Sequence, residues 1–272
     1  MNWSHAVAAL PLWLSTGLVI VLSLLLSWRL VRLARRYAPY PVLKENNELV
    51  GFTYAVFGLI YGVLLAFTII AAWERFSEAE TIATQETTIL SELWRDSKAF
   101  SPALRDPIHH TLQSYAESVI EDEWPEMAGH GRPHVNTMAI YDNLWHLSYT
   151  LQPEGKLQEA YLAEFLARLN DLSATRRMRL LSSHNELNGI MWLVLVIGAL
   201  PAIGYTALFA NKHRWVQVSI VFSITLIVLL SLLVALSLQY PYTGDTAIEP
   251  DAFEELLEAF RQRALVESMP PS

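Results

Sequence analysis

The sequence predicts an all-α integral membrane protein, with four transmembrane helices in two hairpins and a helical extramembrane stalk. Three observations predict it. Hydrophobic residues make up 53% of the 272-residue chain and charged residues only 17%, where a globular chain is nearer a quarter charged. The charges are clustered, leaving long stretches with none. Four of those stretches reach the ~20 mostly apolar residues that a helix needs to cross a bilayer. Two of them, Gly51 to Ala72 and Val216 to Leu238, contain no charged residue, which sets aside a buried core of a soluble protein. Backbone polar groups in hydrocarbon must be satisfied by a helix or a closed barrel. Barrel strands alternate apolar and polar positions, and no such alternation is present.

The first span reads as Ala9 to Leu26, extending to Leu30 past Arg29. The start Met1-Asn2-Trp3-Ser4-His5 has no basic segment and the basic residues follow the apolar run, so a retained span is expected rather than a signal peptide. The second span is Gly51 to Ala72. The third is Ile190 to Phe209, with Pro201 and Gly204 placed to kink it. The fourth is Val216 to Leu238. Residues 1–72 thus form a first hairpin (spans 9–30 and 51–72) and residues 190–238 a second (spans 190–209 and 216–238). Residues 73–189 form a helical extramembrane region, and 239–272 a tail with a short amphipathic helix. Trp13, Trp28, Trp73, Trp192 and Trp215 mark the span ends, where amphipathic rings are favoured.

Both short connections are basic. Arg29, Arg32, Arg35, Arg36 and Lys44 follow span one, against Glu45 and Glu48, and Asn211-Lys212-His213-Arg214 joins spans three and four. The positive-inside rule places these connections in the cytoplasm, and the N-terminus, central region and tail outside. Arg176, Arg177 and Arg179, before span three, weigh the other way.

Span two continues without Gly or Pro, so one long helix is expected from Gly51 to about Lys98. Phe76, Ala79, Ile82/Ala83, Ile89/Leu90 and Leu93 form its apolar face. Ser101-Pro102 opens a helix that reaches Glu123. Pro125, Gly129, Gly131 and Pro133 mark a loop, Asn136 to His146 a helix, and Gly155 a break. From Leu157 to Ser183 a helix sets Leu162, Phe165, Leu166, Leu169 and Leu172 on one face and runs towards span three, with an irregularity at Asn188-Gly189. In the tail, Pro250 opens a helix with Phe253, Leu256, Leu257 and Phe260 on one face. Such a face must pack on something, and the central helices are the expected partner.

Gly51, Ala55, Gly58, Gly62 and Ala66 form a stripe of small residues down span two, a candidate for helix packing or for lining a pore. Glu74 and Glu78 stand where that span ends, as a candidate pore mouth or a solvated helix surface. Arg176, Arg177 and Arg179 are candidates for ion pairs with them or for contact with lipid headgroups. His130 and His134 follow Glu121, Asp122, Glu123 and Glu126, but the spacing matches no metal motif, and no metal is expected. The chain has no cysteine, which excludes disulfides and thiolate chemistry. No phosphate loop, dinucleotide fingerprint or catalytic triad pattern is present, so no catalytic residue, no cofactor and no enzyme activity is expected. A net charge of −8 argues against a nucleic-acid partner. The spans lack a mid-depth acid, which counts against a proton-coupled carrier.

Three linked motifs give a resemblance. They are Tyr61-Gly62-Val63-Leu64-Leu65-Ala66-Phe67 followed by Trp73-Glu74 and Ser77-Glu78-Ala79-Glu80; Arg176-Arg177-x-Arg179-Leu180; and Pro241-Tyr242-Thr243-Gly244-Asp245 with Pro250 beyond. Together they resemble a bacterial membrane family of unknown function classed as bestrophin-like. The chain departs from that family at Tyr242, commonly Phe, and at Asn188-Gly189, where a Leu-Pro pair is usual. The resemblance implies a homo-oligomeric ion channel in a bacterial inner membrane, with the lipid bilayer and inorganic ions as partners. Bestrophins are pentameric anion channels, so a pentamer and anion selectivity are the corresponding expectations. Their large helical part is cytoplasmic, opposite to the charge-based orientation. The alternatives are a membrane scaffold or signalling protein whose stalk binds a partner protein, and a small-solute transporter.

Overall fold

The computed structural model describes residues 3–183 and 189–268. Among the described residues the regular structure is entirely helical. The elements are α1 (Trp3–Ala8), α2 (Leu12–Tyr37), α3 (Tyr40–Glu45), α4 (Asn47–Asp96) with a 3-10 turn at Ser97–Ala99, α5 (Pro102–Ser118), a π turn (Val119–Glu123), α6 (Trp124–His130), α7 (Val135–Thr150), α8 (Lys156–Ser182), α9 (Gly189–Leu208), α10 (Arg214–Leu238) and α11 (Asp251–Ser268). Four of these, α2, α4, α9 and α10, are long and apolar enough to cross a membrane.

The chain divides into two compact units. The first holds α1 to α3, α4 as far as Phe76, α9, α10 and residues 244–246. The second holds α4 from Ser77, α5 to α8, α11 and residues 241–243.

In the first unit, α2 starts at Leu12 rather than Ala9 and runs on to Tyr37, past the expected Leu30. Pro11 stands immediately before its first turn, and Leu12 N–H donates to Asp245 Oδ2 at 2.8 Å, satisfying a donor that a helix start leaves free. At the other end Arg35 and Arg36 occupy the last turn, where cations complement the helix dipole. The face α2 buries is Ser15, Ser23, Ser27 and Val31. Against it α10 buries Val218, Val221, Thr225 and Val228, with Ser27 Oγ 3.5 Å from Thr225 Oγ1. Small residues let two helices approach closely in lipid. The serine hydroxyls are satisfied on their own helix, Ser23 by Val19 O at 2.7 Å and Ser27 by Ser23 O at 2.6 Å.

The most extensive packing of α2 is therefore with α10, not with α4. A tight turn joins α9 to α10, which also pack on each other, whereas α3 stands between α2 and α4. The apolar cluster around Tyr61 and Leu65 of α4 is built with Leu195, Ala199, Ala202 and Ile203 of α9. Through Pro201, α9 remains one helix; Asn188 lies outside the described residues. The α9–α10 turn is fastened by polar side chains. Arg35 Nη2 donates to Asn211 O at 2.7 Å and its Nε to Gln217 Oε1 at 2.8 Å. Ala210 N–H donates to Asn47 Oδ1 at 2.9 Å.

In the second unit, the residues expected to form a loop from Pro125 to Pro133 are mostly helical. The chain passes from α5 through the π turn into α6 and stops only at Gly131, whose φ of 64° ends the helix in the left-handed conformation. Pro125 is accommodated in the first turn of α6, where its missing N–H costs little. The core is apolar, with Leu90, Leu93, Leu112, Phe165, Leu169 and Leu172 buried. Phe253, Leu256, Leu257 and Phe260 of α11 are buried in the same core. Phe260 stacks on Trp94 with centroids 4.3 Å apart.

Candidate functional site

The small-residue stripe of α4 is not the face that α4 packs within its unit. The buried face is Tyr61, Leu65, Thr68 and Ala72. Ala55, Gly62 and Ala66 are exposed and Gly51 and Gly58 half-buried. Among the described residues, a Cβ at Gly62 would meet nothing within 4 Å, and one at Gly58 only Tyr54 of its own helix. At Gly51 it would touch the Phe209 ring at 3.6 Å. Close helix approach within the unit belongs to the α2 serines and to Gly198 of α9. Glu74 and Glu78, one turn apart on α4, are both exposed.

The arginines meet carboxylates other than those expected. Arg179 is completely buried. Its Nε donates to Glu86 Oε2 at 2.7 Å, and its Nη2 to Glu86 Oε1 at 3.2 Å and Glu123 Oε2 at 2.7 Å. Its Nη1 lies 2.9 Å from Met127 Sδ. Arg176, also buried, donates to Glu123 Oε1. Tyr115 O–H donates to Glu86 Oε1 at 2.6 Å. Two guanidiniums and two carboxylates thus close a neutral network, with the Trp124 and Phe253 rings each 5.7 Å from Arg179 Cζ. Burial of this kind removes Arg176 and Arg179 from lipid headgroups. Arg177 points the other way and is exposed.

The electrostatics follow from the geometry. Burial disfavours the charged form of Arg179, but Glu86, Tyr115 and Glu123 more than reverse this and hold its pKa well above the ordinary value. Burial, followed by the negative charge of Glu86, pushes the Tyr115 phenol well above its usual 10.0. One sequence signal pointed to this network. Glu86 falls at the apolar spacing of Ile82, Ala83, Ile89 and Leu90, where a lone carboxylate requires a buried partner.

Among the described residues, no group of three or more His, Cys, Asp or Glu is placed to hold a metal. His130 Nδ1 lies 3.3 Å from Glu126 and His134 Nδ1 3.8 Å from Asp122, as surface pairs. Hydrogen bonds from Asn136 and Ser118 lower the pKa of Asp122.

The tail motif has two sets of contacts. In the second unit, Tyr242 stands edge-on to Trp124 with centroids 5.2 Å apart, and its hydroxyl lies 3.2 Å from Ser182 Oγ. Ile248 N–H donates to Pro241 O at 2.7 Å. In the first unit, Gly244 has a φ of 84°, and a Cβ there would stand 2.3 Å from Ala8 O. Beside it Asp245 caps α2.

Comparison with known proteins gives one family. The model of the Bestrophin-like domain matches residues 21–253. Two solved structures share the fold. One is the crystal structure of a membrane-protein variant, 16% identical, with a TM-score of 0.65 over 89% of this chain and 97% of that one. The other is a bacterial bestrophin homologue from Klebsiella pneumoniae carrying one mutation, 17% identical, with a TM-score of 0.64 over 89% of this chain and 98% of that one. No curated protein matches the chain. With four apolar helices of spanning length and a family match across most of its residues, this chain is a multi-pass membrane protein of the Bestrophin-like family.

Proposed function

We propose that the protein is a homo-oligomeric ion channel of a bacterial inner membrane, with the small-residue stripe of α4 facing the ion path or the neighbouring subunit. The observation that carries this reading is the open side of Gly62. Among the described residues, nothing lies within 4 Å of a Cβ at that position, while the adjacent face of α4, at Tyr61 and Leu65, is buried. A helix with a small-residue face left open in lipid favours close approach to another helix. Family membership supports a channel-type function, and the pentamer of bestrophins is the subunit number that the resemblance favours.

The resemblance favours anions. The exposed carboxylates of Glu74 and Glu78 favour cations, because acidic rings attract them and repel anions. Flux from sealed liposomes, with chloride and potassium gradients measured separately, decides between the two. Gly58→Leu/Gly62→Leu protein is expected to lose flux while keeping its oligomer on sizing. Flux unchanged by those leucines would remove the α4 path.

The scaffold reading is favoured by a different observation. In the second unit Val135, Tyr149 and Leu157 are more than 70% exposed, and exposed apolar side chains suit a partner protein. Absence of flux of either ion from correctly inserted protein would transfer the reading to that surface.

A further inference from the structure

Trp28 of α2 carries two guanidiniums. Arg32 Cζ lies 5.3 Å from its ring centroid and Arg214 Cζ, at the first residue of α10, 5.9 Å. Arg32 follows Trp28 by one helical turn, so the ring and that cation share a face. Arg214 reaches the same ring from another helix. All three residues belong to the first unit and are exposed. Two like charges converge on one aromatic platform, and among the described residues neither pairs with a carboxylate. Residues 1–44 and 189–244 contain no Asp or Glu at all, and Glu45 and Glu48 make no ion pair with either arginine. Arg35, in contrast, is committed to Gln217 and Asn211, which fixes the α9–α10 turn beside α2. The pair is therefore held in place by structure and left without a counter-charge.

The depth of the cluster is set by two helices independently. Along α2 the apolar run from Leu12 to Trp28 spans about 24 Å at 1.5 Å per residue, close to the ~30 Å of a bilayer's hydrocarbon. The basic residues begin at Arg29. In α10, Arg214 and Trp215 immediately precede the uncharged run from Val216. Both helices thus pass from apolar to basic at the Trp28–Arg214 contact, which is where headgroup phosphates lie. Exposed Lys212 and His213 add donors on the turn beside it.

From this we infer that Trp28, Arg32 and Arg214 form a binding site for the phosphate of an anionic lipid headgroup. A guanidinium presents a planar fork of donors that matches two phosphate oxygens. The indole face holds the forks by cation–π attraction and itself prefers the interface. The site does not depend on whether the protein conducts ions.

Native mass spectrometry of the full-length protein in detergent, with equal phosphatidylglycerol and phosphatidylcholine added, tests it. The expected result is preferential retention of phosphatidylglycerol. Arg32→Gln and Arg214→Gln should each reduce that preference about fivefold, the weight of one basic residue at an anionic surface. Arg105→Gln, on a half-buried residue of the second unit, should leave it unchanged. Arg32→Lys/Arg214→Lys, which keeps both charges and the folded surface, should retain most of it. Inorganic phosphate at the same concentration should not displace the lipid. Equal retention of both lipids, full retention by the two glutamine variants, or an equal loss in Arg105→Gln would overturn the assignment. Displacement by inorganic phosphate at equal concentration would overturn it too, by making the site one for a free anion.

Discussion

Tyr61 of α4 lies against Gly198 of α9: a Cβ at position 198 would stand 2.7 Å from Tyr61 Cδ2 and 2.8 Å from Cε2. The Tyr61 hydroxyl donates to Leu195 O at 3.2 Å, one turn earlier on the same helix. Glycine is required here for close approach rather than for an unusual backbone angle. The ring has little room to yield, since Tyr61 is only 5% exposed.

Gly198→Ala should therefore destabilise the protein by about 1–3 kcal/mol, the range for overpacking a filled site. Tyr61→Phe keeps the ring and loses one hydrogen bond, worth roughly 0.5–2 kcal/mol between membrane helices. Thermal unfolding in detergent measures both. A Gly198→Ala protein as stable as wild type would show that α4 and α9 separate more readily than this contact implies.

The Arg179 network yields a larger effect. Arg179→Met leaves Glu86 and Glu123 buried with fewer donors, and should cost about 3–5 kcal/mol, as breaking a buried pair does. Arg177→Met, two residues away and exposed, should cost less than about 0.5 kcal/mol. The contrast between neighbouring arginines is the measurement, read from melting temperatures of the two variants.

Alkaline pH should unfold the second unit through Tyr115. Its phenol pKa is raised in the folded protein, chiefly by burial and then by Glu86. A raised folded pKa gives stability that is complete below the unfolded value of about 10 and is lost as pH rises above it. Denaturation curves between pH 8 and 11 should show stability falling only near the top of that range. In Tyr115→Phe the fall should be smaller, because no phenol remains to ionise, although the protein starts less stable for want of the bond to Glu86.

At the tail, Gly244→Ala meets both a left-handed backbone and the carbonyl of Ala8, and should destabilise by more than 1 kcal/mol. Asp245→Ala removes the acceptor for Leu12 N–H and should cost about 1 kcal/mol, the usual weight of an N-terminal cap. Melting temperatures falling in that order would separate the two roles within one motif.

If α4 carries the ion path, Glu74→Gln/Glu78→Gln should raise chloride flux relative to potassium by about tenfold or less, since removing like charge at a mouth raises the local anion concentration. Reversal potentials in planar bilayers measure this. An unchanged ratio would place both glutamates away from the path.

Hydrophobic length made the membrane helices legible. Ile190 to Phe209 and Val216 to Leu238 differ by no more than two residues from the helices α9 and α10. The start of α2 was less legible, because its cap comes from Asp245, far along the chain. The face of α4 that packs was also hidden. Glycines suggested close packing at Gly58 and Gly62, but Tyr61 found its glycine on the other helix, at 198. The α2–α10 contact was signalled only by Ser23 and Ser27, which look like dilution of an apolar run until their spacing of four is noticed. The loop expected around Pro125 failed for a local reason. A proline in the first turn of a helix breaks nothing, and Pro125 stands there in α6.

That π turn, Val119–Glu123, holds one residue more than a continuous α-helix would use. Its effect is one of phase. Each residue advances an α-helix by about 100°, so the extra position rotates everything after it relative to α5. Removing one residue between 119 and 122 would leave composition and hydropathy almost unchanged, yet would swing Glu123 about a quarter turn away from Arg176 and Arg179. Arg179 would then keep only Glu86 of α4, and Arg176 would lose the carboxylate it meets in this fold.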